Sequence, residues 1–251
     1  MFNLKLEKGD EDWLRANYPE LQIKKGVDSF PVIEGLLHFD MVFYDENKSY
    51  IIKPEAEHLT RGHQIQDEYK IEIVFKTSEH SNLPQVYERG NRIEMVSKNR
   101  SLKPEDLHIN PGGAMCLCLN IQEEDYLPNG FNVADFLNNL VIPFFYAQSF
   151  FEKTEIWKWG QYGHGSIAFF EWYLEQEAAD KEKVEKLIVH MKKRTDWVKF
   201  QPYLSPSTLI KGHHECLCGS KDKVKFRNCH KNALHGVWKL KKDIKDFCVK
   251  L

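Results

Sequence analysis

Apolar and polar residues alternate most strictly over residues 69–76, where Tyr69, Ile71, Ile73 and Phe75 fall on one face and Lys70, Glu72 and Lys76 on the other. A period of two is that of a strand with one buried face. Extended segments are also predicted over 30–44 and 49–53, after a short helix over 11–17 that carries Trp13 and Leu14 and stops before Pro19. A Pro- and Gly-bearing segment, 83–90, and a polar stretch through Pro104 follow. The period then lengthens. Val133, Phe136, Leu137, Leu140, Val141, Phe144 and Phe145 recur mostly at three and four residues, predicting a largely buried helix over 131–153 that Pro143 kinks or divides. Three glycines in 157–165 mark a structured loop, and helices are predicted over 167–177 and 180–193. In the second of these, Val184, Leu187, Ile188 and Met191 form one apolar stripe beside a solvated charged face. Strands followed by covering helices define an α+β fold.

Composition adds limits. With 42% hydrophobic and 13% aromatic residues among 251, the chain can bury a substantial core. Its 35 Lys+Arg against 37 Asp+Glu give a formal charge of −2, which argues against a nucleic-acid binder held by bulk charge. The longest apolar stretch, around Leu140 to Phe145, is far short of the roughly 18–20 residues of a membrane-spanning helix. Residues 1–10 alternate Leu with Lys and Glu and lack a secretory h-region, so a cytoplasmic protein with reduced thiols is expected. Beyond Pro202 and Pro206 the composition turns to Lys, His and Cys, which places a boundary near Ser205 and divides the chain into domains 1–204 and 205–251.

Six cysteines fall in clusters rather than in a disulfide framework. Near the C-terminus, Cys216, Cys218, Cys229 and His230 offer three thiols and an imidazole, a donor set that closes a tetrahedral structural zinc site. Gly219 lets the chain turn, intervening Lys and Arg offset thiolate charge, and metal would supply the core that so few apolar residues cannot. His213 and His214 are alternative ligands, and unligated thiols in a basic tail are the weaker reading. The run resembles the SEC-C zinc motif, Cys-x-Cys-Gly-Ser followed by a basic stretch and a Cys-His pair. It departs by two extra residues between Cys218 and Cys229 and by Lys221 where glycine is common. Lys221, Lys223, Lys225 and Arg227 form a local positive patch, but no aromatic pattern runs among them, so protein docking is favoured over nucleic acid.

Cys116 follows a Gly-Gly turn that itself follows His108-Ile109-Asn110. On spacing alone, an inert core thiol is favoured over a nucleophile with Asn110 as the amide that stabilises an oxyanion. The wider order of elements resembles the ubiquitin-conjugating enzyme family over about residues 1–155: an N-terminal helix, a four-stranded antiparallel meander, a proline-bearing loop, a His-x-Asn triplet and a cysteine followed by Leu117. That resemblance implies that Cys116 forms a thioester, that Asn110 stabilises the oxyanion or its loop, and that His108 holds the loop. Ile109 stands where the family has proline, the triplet lies two residues nearer the cysteine than in eukaryotic members, and Cys118 replaces a common aspartate.

The stretch from Trp157 to Gly165, rich in tryptophan and glycine and carrying His164 before its last glycine, is similar to that of bacterial members found in anti-phage operons. Such operons imply a cyclic-oligonucleotide signalling context, with a cGAS-like nucleotidyltransferase or a ubiquitin-like modifier as acyl donor and an amine as acceptor. His164 either shapes a substrate groove or orders its own glycine loop. Two rivals stay open: a non-catalytic RWD-like binding module, and a Cys116–Cys118 redox pair. The second is the least favoured, because a Cys-x-Cys pair in an extended strand points its thiols to opposite faces.

Overall fold

The computed structural model describes residues 2–26, 28–59, 61–78, 81–159, 162–205, 207–219 and 222–251. Gly160 of the predicted glycine loop, Pro206 and Lys221 of the basic run lie outside the described residues. The chain divides into two units, Met1–Gly160 and Gln161–Leu251. The first begins with α1 (Lys8–Asn17), whose N-terminus is closed by a capping box: the Glu7 N–H donates to Asp10 Oδ2 at 3.0 Å. Among the described residues, five strands follow, β1 (Leu21–Lys25), β2 (Pro31–Tyr44), β3 (Ser49–Ile52), β4 (His63–Val74) and β5 (Gln85–Glu88). All pairings are antiparallel. β4 lies along nearly all of β2, from Val32↔Val74 to Phe43↔His63. The opposite edge of β2 is shared by β1 near Gly35 and β3 near Phe43, and β5 pairs with β4.

Alternation decides which face is buried. Ile33, Leu37, Phe39, Met41 and Phe43 of β2 and Ile65, Tyr69, Ile71 and Ile73 of β4 enter the core. The opposite face carries polar contacts, with Gln64 and Gln66 donating to Asp40 at 2.8 and 2.7 Å and His38 lying 3.1 and 3.0 Å from Glu20 and Glu68.

The expected four-stranded sheet therefore has five strands: β1, β2, β4 and β5 run in that order, and β3 pairs with β2 alone. Two further differences have physical causes. The Pro- and Gly-bearing segment 83–90 has no strand period, yet Gln85–Glu88 pairs with β4 and fully buries Val86; Pro84 precedes the strand, where its missing N–H costs no ladder bond. The polar stretch before Pro104 contains α2 (Arg92–Arg100), which buries few side chains and so leaves little periodic signal.

After α3 (Glu123–Tyr126), the long apolar segment forms α4 (Val133–Phe136), a π turn at Leu137–Val141 and α5 (Ile142–Thr154). The division at Pro143 was expected. Proline sits in the first turn of α5, where it has no N–H to donate, and the π turn just before it absorbs the change in helical register. The Phe145 ring packs 4.6 Å from that of Tyr69, so α5 covers the buried sheet face.

Arg92 joins three elements of this unit. Its guanidinium binds Asp67 through two bonds of 2.8 Å and Glu152 at 2.7 Å, and lies 4.6 Å from the Tyr69 ring centre. Ser149 Oγ also donates to Asp67 at 2.7 Å.

The second unit contains α6 (Ser166–Glu175), α7 (Lys181–Lys192), α8 (Trp197–Leu204), α9 (Phe226–Cys229) and α10 (Lys231–Asp246). Helices α10 and α6 pack at Gly236, where a methyl group would collide with the Phe170 carbonyl oxygen. Tyr173 Oη donates to Asp243 at 2.6 Å, and Lys239 Nζ donates to the Tyr173 carbonyl at 3.1 Å, holding the same pair together. The boundary expected near Ser205 thus lies inside this unit. The segment is also richer in core than expected: Phe226, Ala233, Leu234, Val237 and Leu240 are buried, at helical spacing that His, Lys and Cys neighbours mask in a composition count. No helix among the described residues is long and apolar enough to cross a membrane.

Burial alone would raise the Asp67 carboxyl, but Arg92 and Ser149 outweigh it and hold its pKa at about 2. A carboxylate depressed below its unfolded value of roughly 3.9 contributes about 2 kcal/mol at neutral pH, once solvent screening is allowed for. That contribution is complete above the unfolded pKa and is lost as pH falls towards 2. Asp67→Asn is therefore expected to lower urea-unfolding stability by about 2 kcal/mol at pH 7, with the gap from wild type narrowing by about pH 3. An equal gap at both pH values would contradict the assignment.

Candidate functional site

Cys116 is held in a small hairpin by backbone bonds. Ile109 and Met115 form an antiparallel bridge, the Cys116 N–H donates to the His108 carbonyl at 2.7 Å, and the Asn110 N–H donates to the Ala114 carbonyl at 2.8 Å. The glycines after Pro111 close the turn, with the Gly113 N–H donating back to the Asn110 carbonyl at 2.9 Å. The hairpin is joined to the sheet through the Met115 N–H, which donates to the Val86 carbonyl of β5 at 2.7 Å. The backbone therefore brings His108 opposite Cys116 and leaves Asn110 exposed at the turn, while Cys116 is half-buried.

Two supports of this hairpin have no sequence signature. His108, in the left-handed region at φ 57°, meets the Trp157 ring edge-on at 4.9 Å, and Trp157 stacks on Phe151 at 4.6 Å. Glu123, 2% exposed, accepts from Ser81 Oγ at 2.7 Å, the Asn82 N–H at 3.1 Å and Asn82 Nδ2 at 3.0 Å. It thereby ties down the segment that leads into β5. Burial raises the Glu123 carboxyl against these bonds. Partners 41 residues away in sequence cannot be found from periodicity.

Cys118, like Cys116, is half-buried. Burial pushes its thiol well above the ordinary range, and charge at Glu123, Cys116 and Asp125 adds to the rise. Such a group stays protonated and is a poor nucleophile. Neither cysteine is in a disulfide, and residues 116–118 are irregular rather than in the extended strand whose geometry was the argument against a redox pair.

In the second unit, Cys216, Cys218, Cys229 and His230 come together with one donor atom each, all within 4.8 Å of one another. Cys216 Sγ lies 3.4 Å from His230 Nδ1, and Cys218 Sγ lies 3.7 Å from Cys229 Sγ. The four residues could hold a metal ion. Cys216 sits on a bridge between Glu215 and Lys225, its N–H donating to the Val224 carbonyl at 2.9 Å. Gly219 turns the chain after Cys218 at φ 78°. Cys229 ends α9, and His230 joins it to α10, with fully buried Phe226 anchoring the turn.

Burial pushes the Cys216 and Cys229 thiols up. A bound cation reverses that preference by favouring thiolate. His213 and His214 instead form an edge-on pair at 4.8 Å, and His214 Nδ1 accepts the Lys211 N–H.

The glycine loop after the tryptophans contributes to this cluster through a contact with no sequence signature. A Cβ on Gly163 would lie 3.1 Å from His230 Nε2 and would collide with Ile167, while the Gly163 N–H donates to Glu171 at 2.6 Å. His164 is thus next to a residue packed on a metal-ligand candidate, within a loop that Asp196 also fixes by accepting the Ser166 N–H at 2.8 Å.

No protein-family model, curated protein or solved structure matches the chain.

Because Ile167 and His230 leave no room at position 163, Gly163→Ala is expected to lower stability by roughly 1–3 kcal/mol. Metal retention should fall as His230 is displaced. Unchanged melting and unchanged metal content would show that the loop does not support the cluster.

Proposed function

We propose that Cys116 is the nucleophile of a ubiquitin-conjugating-type acyl carrier. Its thiolate attacks an activated C-terminal carbonyl, a thioester forms as the donor's leaving group departs, and an amine then takes the acyl group. The thiolate is the leaving group of the second step, and the amine's proton passes to a base. The observation that carries this reading is the hairpin, which sets half-exposed Cys116 opposite His108 with Asn110 at the turn. In this reading Asn110 supplies the side-chain amide for the oxyanion, a role that requires water to be excluded from the turn when the donor is bound. The antiparallel sheet, preceded by α1 and covered by α5, supports a ubiquitin-conjugating-type fold. The sequence resemblance sets the reaction in bacterial anti-phage defence, in the cytoplasm, with a cGAS-like nucleotidyltransferase or ubiquitin-like protein as donor.

Incubation with such a donor and its activating enzyme, followed by intact mass without reductant, tests this. Wild type is expected to carry a thiol-sensitive adduct equal to the donor less one water. Cys116→Ser should carry either no adduct or a thiol-resistant ester. Cys116→Ser with full biological activity and unchanged partner binding would instead favour the non-catalytic RWD-like module.

The metal of the Cys/His cluster is, in this reading, structural zinc. A tetrahedral ion with zinc–sulfur bonds of about 2.3 Å and zinc–nitrogen bonds of about 2.05 Å spaces its sulfurs about 3.8 Å apart and its sulfur–nitrogen pairs about 3.6 Å apart. The 3.7 and 3.4 Å separations fit those edges. Four protein donors leave no open position, so the ion supplies folding energy rather than catalysis. Elemental analysis is expected to find one zinc per chain, reduced by Cys229→Ser, with chelation lowering the melting temperature. Metal-free protein with unaltered melting would contradict zinc.

A further inference from the structure

The near-neutral charge of the chain hides a strong asymmetry. Residues 161–251 carry 18 Lys+Arg against 11 Asp+Glu, 18 − 11 = +7, whereas residues 1–160 carry 17 against 26, 17 − 26 = −9. Part of this positive charge lies in a pattern on α10. Ala233, Val237, Leu240 and Ile244 form its buried stripe. Lys231, His235, Trp238, Lys242 and Lys245 recur at the same four- and three-residue spacing on the opposite side.

Trp238 is 41% exposed although it is the largest side chain on the helix. Its indole N–H donates to the Ile210 carbonyl at 2.9 Å, and its ring stacks on His235 with centres 5.3 Å apart and planes at 27°. The ring is held at its edge and by one neighbour, so its orientation is fixed while much of its surface stays open to solvent.

We propose that this outer face of α10 binds single-stranded nucleic acid, with Trp238 and His235 as a stacking platform and Lys231, Lys242 and Lys245 along the phosphates. A fixed aromatic pair, its tryptophan exposed and its histidine half-buried, flanked by lysines, matches the two features of an unpaired strand, flat bases and a charged backbone. Duplex DNA keeps its bases stacked internally and has little use for such a platform. An acidic peptide would need the lysines and not the rings. Lys242 also pairs with Asp246 at 2.8 Å, an exposed contact that phosphate can replace. The aromatic element absent from the run Lys221 to Arg227 is thus present on the neighbouring helix. The proposal is independent of thioester chemistry at Cys116.

Fluorescence anisotropy of the full chain with labelled oligo(dT) and oligo(U) of about 20 nucleotides, at about 50 and 200 mM salt, tests it. Binding that weakens with salt is expected. Trp238→Ala should weaken it by about tenfold, as loss of one stacked base would. Trp238→Phe should largely retain it. Lys231→Ala with Lys245→Ala should reduce the salt slope by about one to two. Because both lysines are exposed, that pair keeps the test decisive should Trp238→Ala fail to fold. Absence of binding at the lower salt would overturn the proposal. So would equal competition by polyglutamate, or binding indifferent to Trp238→Ala in a folded variant. Sedimentation showing that the face is occupied by a second copy through its acidic unit would overturn it as well.

Discussion

The β2–β4 ladder sets the terms for the N-terminal unit. Paired from Val32↔Val74 to Phe43↔His63, the two strands turn every odd-numbered side chain to one face and every even-numbered one to the other. One face is then a continuous apolar surface that must be covered, and the segment from Val133 to Thr154 is apolar enough to do so. The Arg92–Asp67 pair fastens α2 and α5 to β4 on the same side of that ladder. β5, paired with β4 at the sheet edge, in turn offers the Val86 carbonyl on which the Cys116 hairpin hangs. The candidate nucleophile is positioned by backbone bonds that descend from the sheet, an arrangement more rigid than a free loop provides.

In the C-terminal unit the corresponding constraint is the close approach of α10 to α6 at Gly236. His230 caps the start of α10, so packing that helix on α6 also places a metal-ligand candidate, and the loop at Gly163 closes against the ring of that histidine. Burial among neighbours raises the Cys216 and Cys229 thiols, a preference that a bound cation would reverse. Core packing and ligand placement here share the same residues, in contrast to a domain whose metal replaces its core.

Legibility in the sequence followed contact range. Strict alternation over 69–76 and the three-and-four spacing of 133–145 announced a strand and a helix because one face of each is buried along its whole length. The helices α2, α3, α8 and α9 and the strands β1 and β5 carry no such signal, and that of α10 is masked by its His and Lys neighbours. β1 buries Leu21 alone and β5 buries Val86 alone, too few for a period to register. The four candidate metal ligands were legible from local spacing, since Cys-x-Cys and Cys-His pairs are close in the chain, and the structure brings them within 4.8 Å of one another. Trp157 against His108, Glu123 on Ser81 and Asn82, and Gly163 against His230 join residues 41 or more apart in sequence, and nothing in the chain connects them.

Residue order by itself determined an α+β chain, a cysteine beyond a glycine turn, and a three-thiol, one-imidazole donor set. These are local properties of spacing and side-chain chemistry. Tertiary structure decided that Cys116 lies opposite His108 and that burial raises the Cys118 thiol. It also decided that the segment with the Cys/His cluster shares a core with α6 and that the outer face of α10 presents Trp238 among lysines. Burial and apposition depend on which surfaces the folded chain brings together, and a linear pattern does not contain that information.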